Sequence, residues 1–286
     1  MGRAAAPAVI GPVVDAAWVR AHRGEILPAD VRWYLDGRPG RAAHEVGHLP
    51  GAVFVDVDSM LAGPASAASG RHPLPAPDAF AAAMSSLGIG DGTVVVAYDD
   101  AGGMVAARLV WMLRALGEAA ALLDGGIGAW DGPLEIGSVE SVPARFTARP
   151  WPQALMASAD DAADPGNRVL DARAGERYRG EVEPVDPQAG HIPGALSRPA
   201  GELLGADDRF LPAEALRERL RGDDRDVVAY CGSGVNACHV LLALEHAGLP
   251  PGRLYPGSWS QWSADPARAV ARGRTPARDS GAAGDR

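Results

Sequence analysis

The clearest hydrophobic pattern in the chain lies in residues 226–249, DVVAYCGSGVNACHVLLALEHAGL. A charged turn precedes four apolar or aromatic residues at 227–230, and such a run predicts a buried strand of a parallel sheet. Further on, apolar side chains recur with helical spacing up to Leu249, which predicts a helix. Cys231 therefore lies in the turn between a strand's carboxyl end and a helix's amino end, where ligands of such sheets bind.

Three segments of the sequence occur twice in the same order. GHLPGA at 47–52 recurs as GHIPGA at 190–195. The apolar run at 93–98 and the helical pattern after it parallel 226–230 and its helix, and LLDGG with a tryptophan parallels LYPG with two tryptophans. Strands that alternate with helices predict a parallel sheet with helices on both faces. The fold class is therefore predicted to be α/β, with two tandem copies of one domain.

The repeat and the composition together predict the domain boundaries. We place the first domain at residues 1–135, an interdomain linker at 136–160, the second domain at 161–270 and a disordered tail at 271–286. Within the first domain, the proline- and glycine-rich segment 61–77 is predicted to be a surface loop.

The charge of the chain restricts its partners. The 286 residues carry a formal net charge of −9, and all 27 basic residues are arginine. An acidic protein binds nucleic acid and anionic membranes poorly, and the absence of lysine excludes Schiff-base chemistry and a P-loop lysine. No apolar run approaches the length of a membrane span. We therefore expect a cytoplasmic protein with no nucleic-acid and no membrane partner.

The two cysteines give little sign of a disulfide or a metal site. Cys231 and Cys238 lie seven positions apart on what should be one helix, which is too far for an easy disulfide, and no CxxC pair is present. We expect a reducing compartment, no metal and no cofactor. Cys238 is predicted to be a buried helix residue and not a second reactive thiol.

The loop after the predicted strand is suited to a negative charge. Gly232 and Gly234 permit backbone angles that other residues avoid, so successive N–H groups can turn inward around the Cys231 sulfur. These donors and the helix's amino end favour a thiolate or a bound anion. A structural cysteine in an ordinary glycine-rich turn is the alternative, and the strand, loop and helix context favours the reactive cysteine.

The sequence CGSGV leading into a helix resembles the active-site loop of the two-domain rhodanese-like sulfurtransferases, in particular the 3-mercaptopyruvate sulfurtransferases. The resemblance implies that the Cys231 thiolate takes sulfur from 3-mercaptopyruvate, holds it as a persulfide and passes it to cyanide or a thiol. The loop residues that would surround the persulfide are Gly232, Ser233, Gly234, Val235 and Asn236. Ser233 filling a turn and Asn236 capping the helix are simpler roles that remain open.

The resemblance also implies a set of residues around the loop. Arg177, with Arg179 as a weaker candidate, would grip the anionic donor, because a guanidinium matches a carboxylate in two places. The arginine that follows the Glu-Pro pair in some animal relatives is replaced by Val185, so a second clamp is missing or comes from elsewhere.

Three further residues have supporting roles in this hypothesis. Asp171 would orient the arginines or the loop amides, and His48 would lie beside Ser233 or, as the simpler alternative, hold its own turn. Trp259 would line the pocket or pack in the core.

The first copy has an acidic residue where the second has its cysteine. Asp99 matches Cys231 in position, and an aspartate cannot carry sulfane sulfur, so this copy is predicted to be an inactive scaffold. A solvated turn at Asp99 and Asp100 is an equally open interpretation.

Other functions remain as alternatives. Thiosulfate could replace 3-mercaptopyruvate as the donor. A phosphatase-like or arsenate-reductase-like enzyme also places a cysteine in a strand-to-helix loop, but it needs a longer loop that ends in arginine. A non-enzymatic persulfide carrier would keep Cys231 with little turnover. A thioredoxin-like reductant is a further candidate partner.

Overall fold

The computed structural model describes residues 10–274, which form two parallel β-sheets covered by helices. The strands are β1 (Val13–Val14), β2 (Ile26–Asp30), β3 (Val53–Phe54), β4 (Val94–Tyr98), β5 (Ala120–Leu123), β6 (Arg168–Asp171), β7 (Leu196–Ser197), β8 (Val227–Tyr230) and β9 (Arg253–Leu254). The α-helices are α1 (Ala16–Ala21), α2 (Gly40–Val46), α3 (Val57–Met60), α4 (Pro77–Ser86), α5 (Ala107–Ala115), α6 (Ala159–Ala163), α7 (Gly175–Arg179), α8 (Ala213–Leu220), α9 (Asn236–His246) and α10 (Ser258–Trp262). Short 3₁₀-helices span Gly126–Ala129, Gln153–Leu155 and Ala200–Leu203.

The two sheets repeat one topology. The first has the order β1-β5-β4-β2-β3 and the second β7-β6-β8-β9, and the strands in both sheets pair in parallel. The strand that precedes Asp99 in the first sheet, β4, and the strand that precedes Cys231 in the second, β8, are both inner strands. The predicted α/β class and the duplication are confirmed.

Each sheet is buried on both faces. Along β4, Val95 and Ala97 enter the largest hydrophobic cluster, while Val96 and Tyr98 enter a second cluster on the opposite face. This alternation follows from the two-residue period of a strand. Helices α5 and α9, which follow the matching strands β4 and β8, pack against each other, so the largest cluster is continuous between the domains.

The duplication extends to buried side-chain contacts. In the first domain Arg32 pairs with Asp30, and its Nη2 donates to the Gly47 carbonyl at 2.7 Å. The second domain repeats this arrangement: Arg173 pairs with Asp171 and donates to the Gly190 carbonyl, also at 2.7 Å. Each arginine thus ties the end of a strand to the glycine of the repeated GH[LI]PGA turn.

The segment predicted as a surface loop lies partly inside the molecule. Leu61 and His72 are buried, and the Arg71 N–H donates to Ser260 of the second domain at 3.1 Å. The surface-loop prediction for 61–77 fits the exposed residues 64–68 but is wrong for the buried positions 61, 62, 70, 72 and 75. Its proline and glycine content indicated irregular backbone but not where that backbone lies.

The second domain extends beyond the predicted boundary at residue 270. Ala271 and His191 exchange backbone hydrogen bonds of 2.8 and 2.9 Å, and Gly273 donates to the Arg179 carbonyl. The predicted disordered tail is therefore wrong for 271–274, and its remainder lies outside the described residues. Between 10 and 274, no helix combines the length and apolar character that a bilayer span requires.

His239 on α9 is a fully buried histidine. It stacks on Phe210 with ring centroids 4.4 Å apart, and neither of its ring nitrogens has a hydrogen-bond partner among the described residues. Burial lowers the pKa of His239 to about 4, against a weaker opposing effect of the Gly102 backbone. The folded protein therefore favours the neutral ring.

The stability should accordingly fall as the pH drops from the ordinary histidine pKa of about 6.5 towards 4, because the unfolded chain binds a proton there that the folded chain resists. We expect His239 to account for about 2 to 3 kcal/mol of the loss between pH 7 and 4.5. Between pH 7 and 4.5 the free energy of unfolding of His239→Leu should therefore fall by about 2 to 3 kcal/mol less than that of wild type. Urea unfolding at both pH values measures this difference. His22→Leu, at a half-buried histidine, is the control. Equal losses in wild type and His239→Leu would contradict the prediction.

Candidate active site

Cys231 lies at the carboxyl end of β8 and is 3% exposed. Its Sγ accepts a hydrogen bond from the Gly234 N–H at 3.1 Å. Gly234 has a φ of +82°, and a side chain there would come within 2.6 Å of the Pro256 carbonyl oxygen. Only glycine fits both the angle and the space, so this residue allows the loop to turn an N–H towards the sulfur.

Residues at the start of α10 hold the first two residues of the loop by hydrogen bonds. The Cys231 N–H donates to the Ser258 hydroxyl at 3.2 Å, while the Cys231 carbonyl accepts from the Trp259 N–H at 3.0 Å. The Gly232 carbonyl accepts from the Ser260 N–H at 2.9 Å. These bonds direct the first two loop carbonyls away from the space above the sulfur. The sequence predicted several loop N–H groups turned towards the sulfur, and the structure shows a direct hydrogen bond to Sγ from the N–H of Gly234.

Ser233 ends a chain of three polar side chains that crosses the domain boundary. Its hydroxyl lies 2.7 Å from Nδ1 of His72, and Nε2 of His72 lies 3.0 Å from a carboxylate oxygen of Asp58. Burial lowers the pKa of His72, and Asp58 opposes this shift. A neutral ring that donates to Asp58 through Nε2 can accept the Ser233 hydroxyl proton at Nδ1.

The histidine beside Ser233 is thus His72 and not His48. The Nδ1 atom of His48 lies 2.8 Å from the His44 carbonyl oxygen, and the two histidine rings stack at 4.0 Å. His191 makes the matching contact in the second domain, 2.8 Å from the Tyr178 carbonyl oxygen. The prediction that placed His48 at the loop is corrected, because the repeated histidine holds a backbone turn in both domains.

Two arginines, one from each domain, lie over Gly232. A side-chain carbon at Gly232 would stand 3.0 Å from Nη2 of Arg71 and 3.5 Å from Nη1 of Arg177. Arg177 pairs with Glu183 at 2.6 Å and with Asp186 at 3.2 Å, and Arg71 pairs with the same Asp186. The structure thus brings the predicted Arg177 to the loop and adds Arg71 from the first domain.

The other predicted arginine lies apart from the loop. Arg179 pairs with Glu181 at 2.7 Å, and both side chains are substantially exposed. Asp171 does orient an arginine, but this is the buried Arg173 and not Arg177. Burial opposes the charge of Arg173, yet Asp171 and Glu183 raise its pKa.

Trp259 belongs to the core beneath the loop. It is fully buried, its Nε1 donates to the Gln188 carbonyl at 2.9 Å, and the Arg173 guanidinium lies 4.5 Å from its ring centroid. Of the two interpretations of Trp259, the structure shows core packing. Asn236 is the first residue of α9, and no side-chain hydrogen bond caps this helix.

A buried cation lies behind the loop. Arg108 on α5 is fully buried, and it donates to the carbonyls of Gly234 at 3.0 Å, His72 at 2.9 Å and Leu61 at 3.2 Å. Among residues 10–274 no carboxylate pairs with it. One guanidinium therefore joins the segment that carries His72 to the loop that carries Cys231.

The second cysteine, Cys238, is fully buried in α9. Burial raises the pKa of Cys238 to about 12, so this thiol is protonated at neutral pH. Its S–H donates to the Gly234 carbonyl at 3.3 Å. Cys238 is therefore a neutral helix residue that supports the loop, and both cysteines are free thiols.

The matching loop of the first domain encloses its own anion. The Asp99 carboxylate is fully buried and accepts four backbone N–H bonds of 2.7 to 2.8 Å, from Ala101, Gly103, Val105 and Ala106. Burial raises the pKa of Asp99, and the four donors oppose that rise. The solvated-turn interpretation of Asp99 is wrong.

Sequence reasoning did not single out four residues at this site: His72, Asp58, Arg71 and Arg108. The first three lie on or near irregular backbone without a periodic pattern. The one available signal was a histidine and an arginine within a segment of small residues, glycine and proline, and many surface loops have that composition.

Two parts of the chain, residues 15–132 and 153–265, match the family description "Rhodanese-like domain". The chain belongs to the rhodanese family. It is 45% identical over 269 residues to a Pseudomonas aeruginosa protein named "Probable 3-mercaptopyruvate sulfurtransferase", which covers 89% of this chain and 95% of that protein. It is 37% identical to the human 3-mercaptopyruvate sulfurtransferase, over 94% of this chain and 98% of the human one.

A further relative has a different name. A Mycobacterium tuberculosis protein, provisionally named thiosulfate sulfurtransferase SseB, is 44% identical over 85% of this chain and 90% of its own. Among solved structures, SseA from Escherichia coli, described as a 3-mercaptopyruvate sulfotransferase, superposes with a TM-score of 0.76 at 32% identity. The matched region covers 88% of this chain and all of SseA.

Proposed function

We propose that this rhodanese-family protein is a sulfurtransferase that moves sulfane sulfur from 3-mercaptopyruvate, through a persulfide on Cys231, to a thiol or cyanide. The observation that carries the proposal is the Cys231 sulfur at the end of β8, bonded to the Gly234 N–H, with two guanidiniums over the adjacent Gly232. A nucleophile and an anion site thus adjoin each other, as transfer from a small anionic donor requires.

In the first step the Cys231 thiolate attacks the sulfur of 3-mercaptopyruvate. A bond forms between the two sulfur atoms, and the carbon–sulfur bond of the donor breaks. The electron pair of the broken bond goes to the carbon, which leaves as the enolate of pyruvate and takes up a proton. The Gly234 N–H, 3.1 Å from Sγ, stabilises negative charge on the sulfur, as would other N–H groups of residues 232–236 that face the persulfide.

Ser233 is suited to the charge that develops on the donor's oxygen. Its hydroxyl can donate a hydrogen bond to the enolate oxygen when the donor is bound, and the His72 ring, oriented by Asp58, lies 2.7 Å from this hydroxyl and positions it. The lowered pKa of His72 favours the neutral ring, which accepts from the Ser233 hydroxyl at Nδ1 and so keeps this hydroxyl beside the loop.

In the second step an acceptor takes the outer sulfur and Cys231 leaves as a thiolate. Cyanide becomes thiocyanate. A dithiol reductant of the thioredoxin type becomes a disulfide, with release of hydrogen sulfide and return of the Cys231 thiol. We propose such a reductant as a protein partner, because burial raises the pKa of the chain's other cysteine, Cys238, to about 12, and this thiol is unsuited to resolve the persulfide.

Thiosulfate is the second candidate donor, and the name of the Mycobacterium tuberculosis relative favours it. The loop itself argues for 3-mercaptopyruvate, since residues 232–236, GSGVN, contain no basic side chain to hold a dianion. A persulfide carrier with little turnover of small donors is the third candidate.

The test is the rate of thiocyanate formation from cyanide, measured in parallel with 3-mercaptopyruvate and with thiosulfate. We expect kcat/KM to be at least about tenfold higher with 3-mercaptopyruvate. A higher value with thiosulfate would reassign the protein as a thiosulfate sulfurtransferase. Loading of Cys231 by a donor without multiple turnovers would favour the carrier.

A further inference from the structure

We infer that Arg71 and Arg177 together form a clamp for the donor's carboxylate, with one arginine from each domain. The inference rests on the proposed function and extends it, because it names a specificity residue outside the cysteine-bearing domain. It also answers the question raised by Val185, which stands where a second arginine could have followed Glu183-Pro184.

The first observation is the position of the two unbonded nitrogens. Arg177 uses Nε and Nη2 on Glu183 and Nη2 again on Asp186, and Arg71 uses Nη1 on Asp186. Nη1 of Arg177 and Nη2 of Arg71 have no acceptor among the described residues. These two nitrogens are also the nearest to Gly232, at 3.5 and 3.0 Å from the position of an added side-chain carbon, while the carboxylate-bonded Nη2 of Arg177 lies at 3.8 Å. Two donors from two guanidiniums thus converge on one spot, and a carboxylate has two oxygens to meet them.

The second observation is the exposure of the charged groups. The Asp186 side chain is 2% exposed, whereas the Arg71 and Arg177 side chains are 30% and 17% exposed. The acids therefore lie behind the arginines and orient them, and the guanidiniums present their remaining N–H groups to the cleft. Burial raises the pKa of Asp186, and the charge of Arg71 opposes that rise. The ion pair with Arg71 therefore favours the ionised form of the Asp186 carboxyl.

The third observation is that the backbone of Arg71 is firmly held on the second domain. Its N–H donates to the Ser260 hydroxyl at 3.1 Å. The preceding Gly70 has a φ of +83°, and a side chain there would come within 2.5 Å of the Gly257 carbonyl oxygen. The close contact of Gly70 with the second domain thus fixes the direction in which the backbone of the first domain enters Arg71.

The clamp and the nucleophile are matched to a short donor. Consecutive Cα atoms lie about 3.8 Å apart, so the clamp over Gly232 lies roughly one residue from Cys231. A three-carbon acid with its sulfur on the third carbon spans a similar length. The charges of Arg71 and Arg177 are balanced by Glu183 and Asp186. A monoanionic carboxylate therefore adds one uncompensated negative charge, and a dianion adds two, which favours the keto acid over thiosulfate.

The test compares Arg71→Met with wild type for a donor with a carboxylate and one without. For 3-mercaptopyruvate we expect KM to rise about 10- to 100-fold with kcat within about threefold. Binding of pyruvate, measured by calorimetry, should weaken by a similar factor. Formation of the Cys231 persulfide from inorganic polysulfide, which is anionic but has no carboxylate to meet two guanidiniums, should slow by no more than about threefold. Arg217→Met, at an exposed arginine of α8 that pairs with Glu214, is the control.

Each other outcome has a definite meaning. An unchanged KM and unchanged pyruvate binding in Arg71→Met would overturn the clamp. An equal loss with 3-mercaptopyruvate and polysulfide would also overturn it, because Arg71 would then act only by holding the loop in place. If wild type failed to use 3-mercaptopyruvate, the proposed function would fail, and pyruvate binding by wild type and Arg71→Met would still decide whether the clamp exists.

Discussion

The variant Cys231→Ser should lose sulfur transfer by about 1,000-fold or more with both 3-mercaptopyruvate and thiosulfate. A serine hydroxyl is not ionised near neutral pH and cannot form a persulfide, so the ping-pong route has no intermediate. The fold should be little affected, since the replacement has nearly the same volume. The Gly234 N–H can also donate to the serine oxygen. The measurement is thiocyanate formation, together with a mass spectrum of the protein after exposure to donor alone.

Cys238→Ser is the matched control for this substitution. Its hydroxyl can still donate to the Gly234 carbonyl, as the Cys238 thiol does at 3.3 Å, and burial keeps that thiol neutral in wild type. We expect its turnover to stay within about threefold of wild type, and its Cys231 should still gain a sulfur atom. Substantial turnover in Cys231→Ser, or a persulfide on Cys238, would contradict the assignment of Cys231.

The variant Arg108→Met should lower the free energy of unfolding by about 2 to 4 kcal/mol and kcat by about tenfold or more. The substitution removes a charged donor from three carbonyls, two in segment 61–77 and one in the loop, and at least those of Leu61 and His72 then lose that partner inside the protein. Relief from burying a charge opposes this loss, but orphaned carbonyls cost about 1 to 3 kcal/mol each. Catalysis should fall because Arg108 holds the Gly234 carbonyl, and the N–H of the same residue bonds the Cys231 sulfur.

Urea unfolding and steady-state kinetics measure the two effects of Arg108→Met. Arg38→Met removes an exposed arginine that pairs with Asp36, and we expect it to leave the stability close to that of wild type. Arg108→Lys should recover part of the stability, since an ammonium keeps the charge but cannot reach all three carbonyls. Arg108→Met with stability and kcat equal to wild type would show that the buried cation does not hold the loop.

The predicted parts of the fold are those with strong periodicity. Apolar runs at β4 and β8, each followed by helical spacing, were sufficient to predict parallel strands and crossover helices, because burial on both faces of a sheet demands such runs. The repeated GH[LI]PGA turns revealed the duplication. The same repeat misled the assignment of His48, since it marks a structural turn, and a histidine from outside the repeat occupies the place beside Ser233.

Local sequence by itself determined which residue is the nucleophile candidate, because the geometry around Cys231 depends on its immediate neighbours. The strand before it and the glycine at 234, with a φ of +82°, create the turn and its inward N–H. Arg177 was also accessible, through resemblance to a motif of the same domain.

Only the tertiary structure decided what the first domain contributes to the site. His72, Arg71 and Arg108 reach the loop across the domain boundary, and Asp58 contacts His72. His72 and Arg108, which bond the loop directly, lie more than 120 residues from their partners along the chain. Such contacts depend on how α5 and α9 pack and on how segment 61–77 folds between the domains. No local periodicity encodes either one, because these long-range contacts form only when the two sheets share one core.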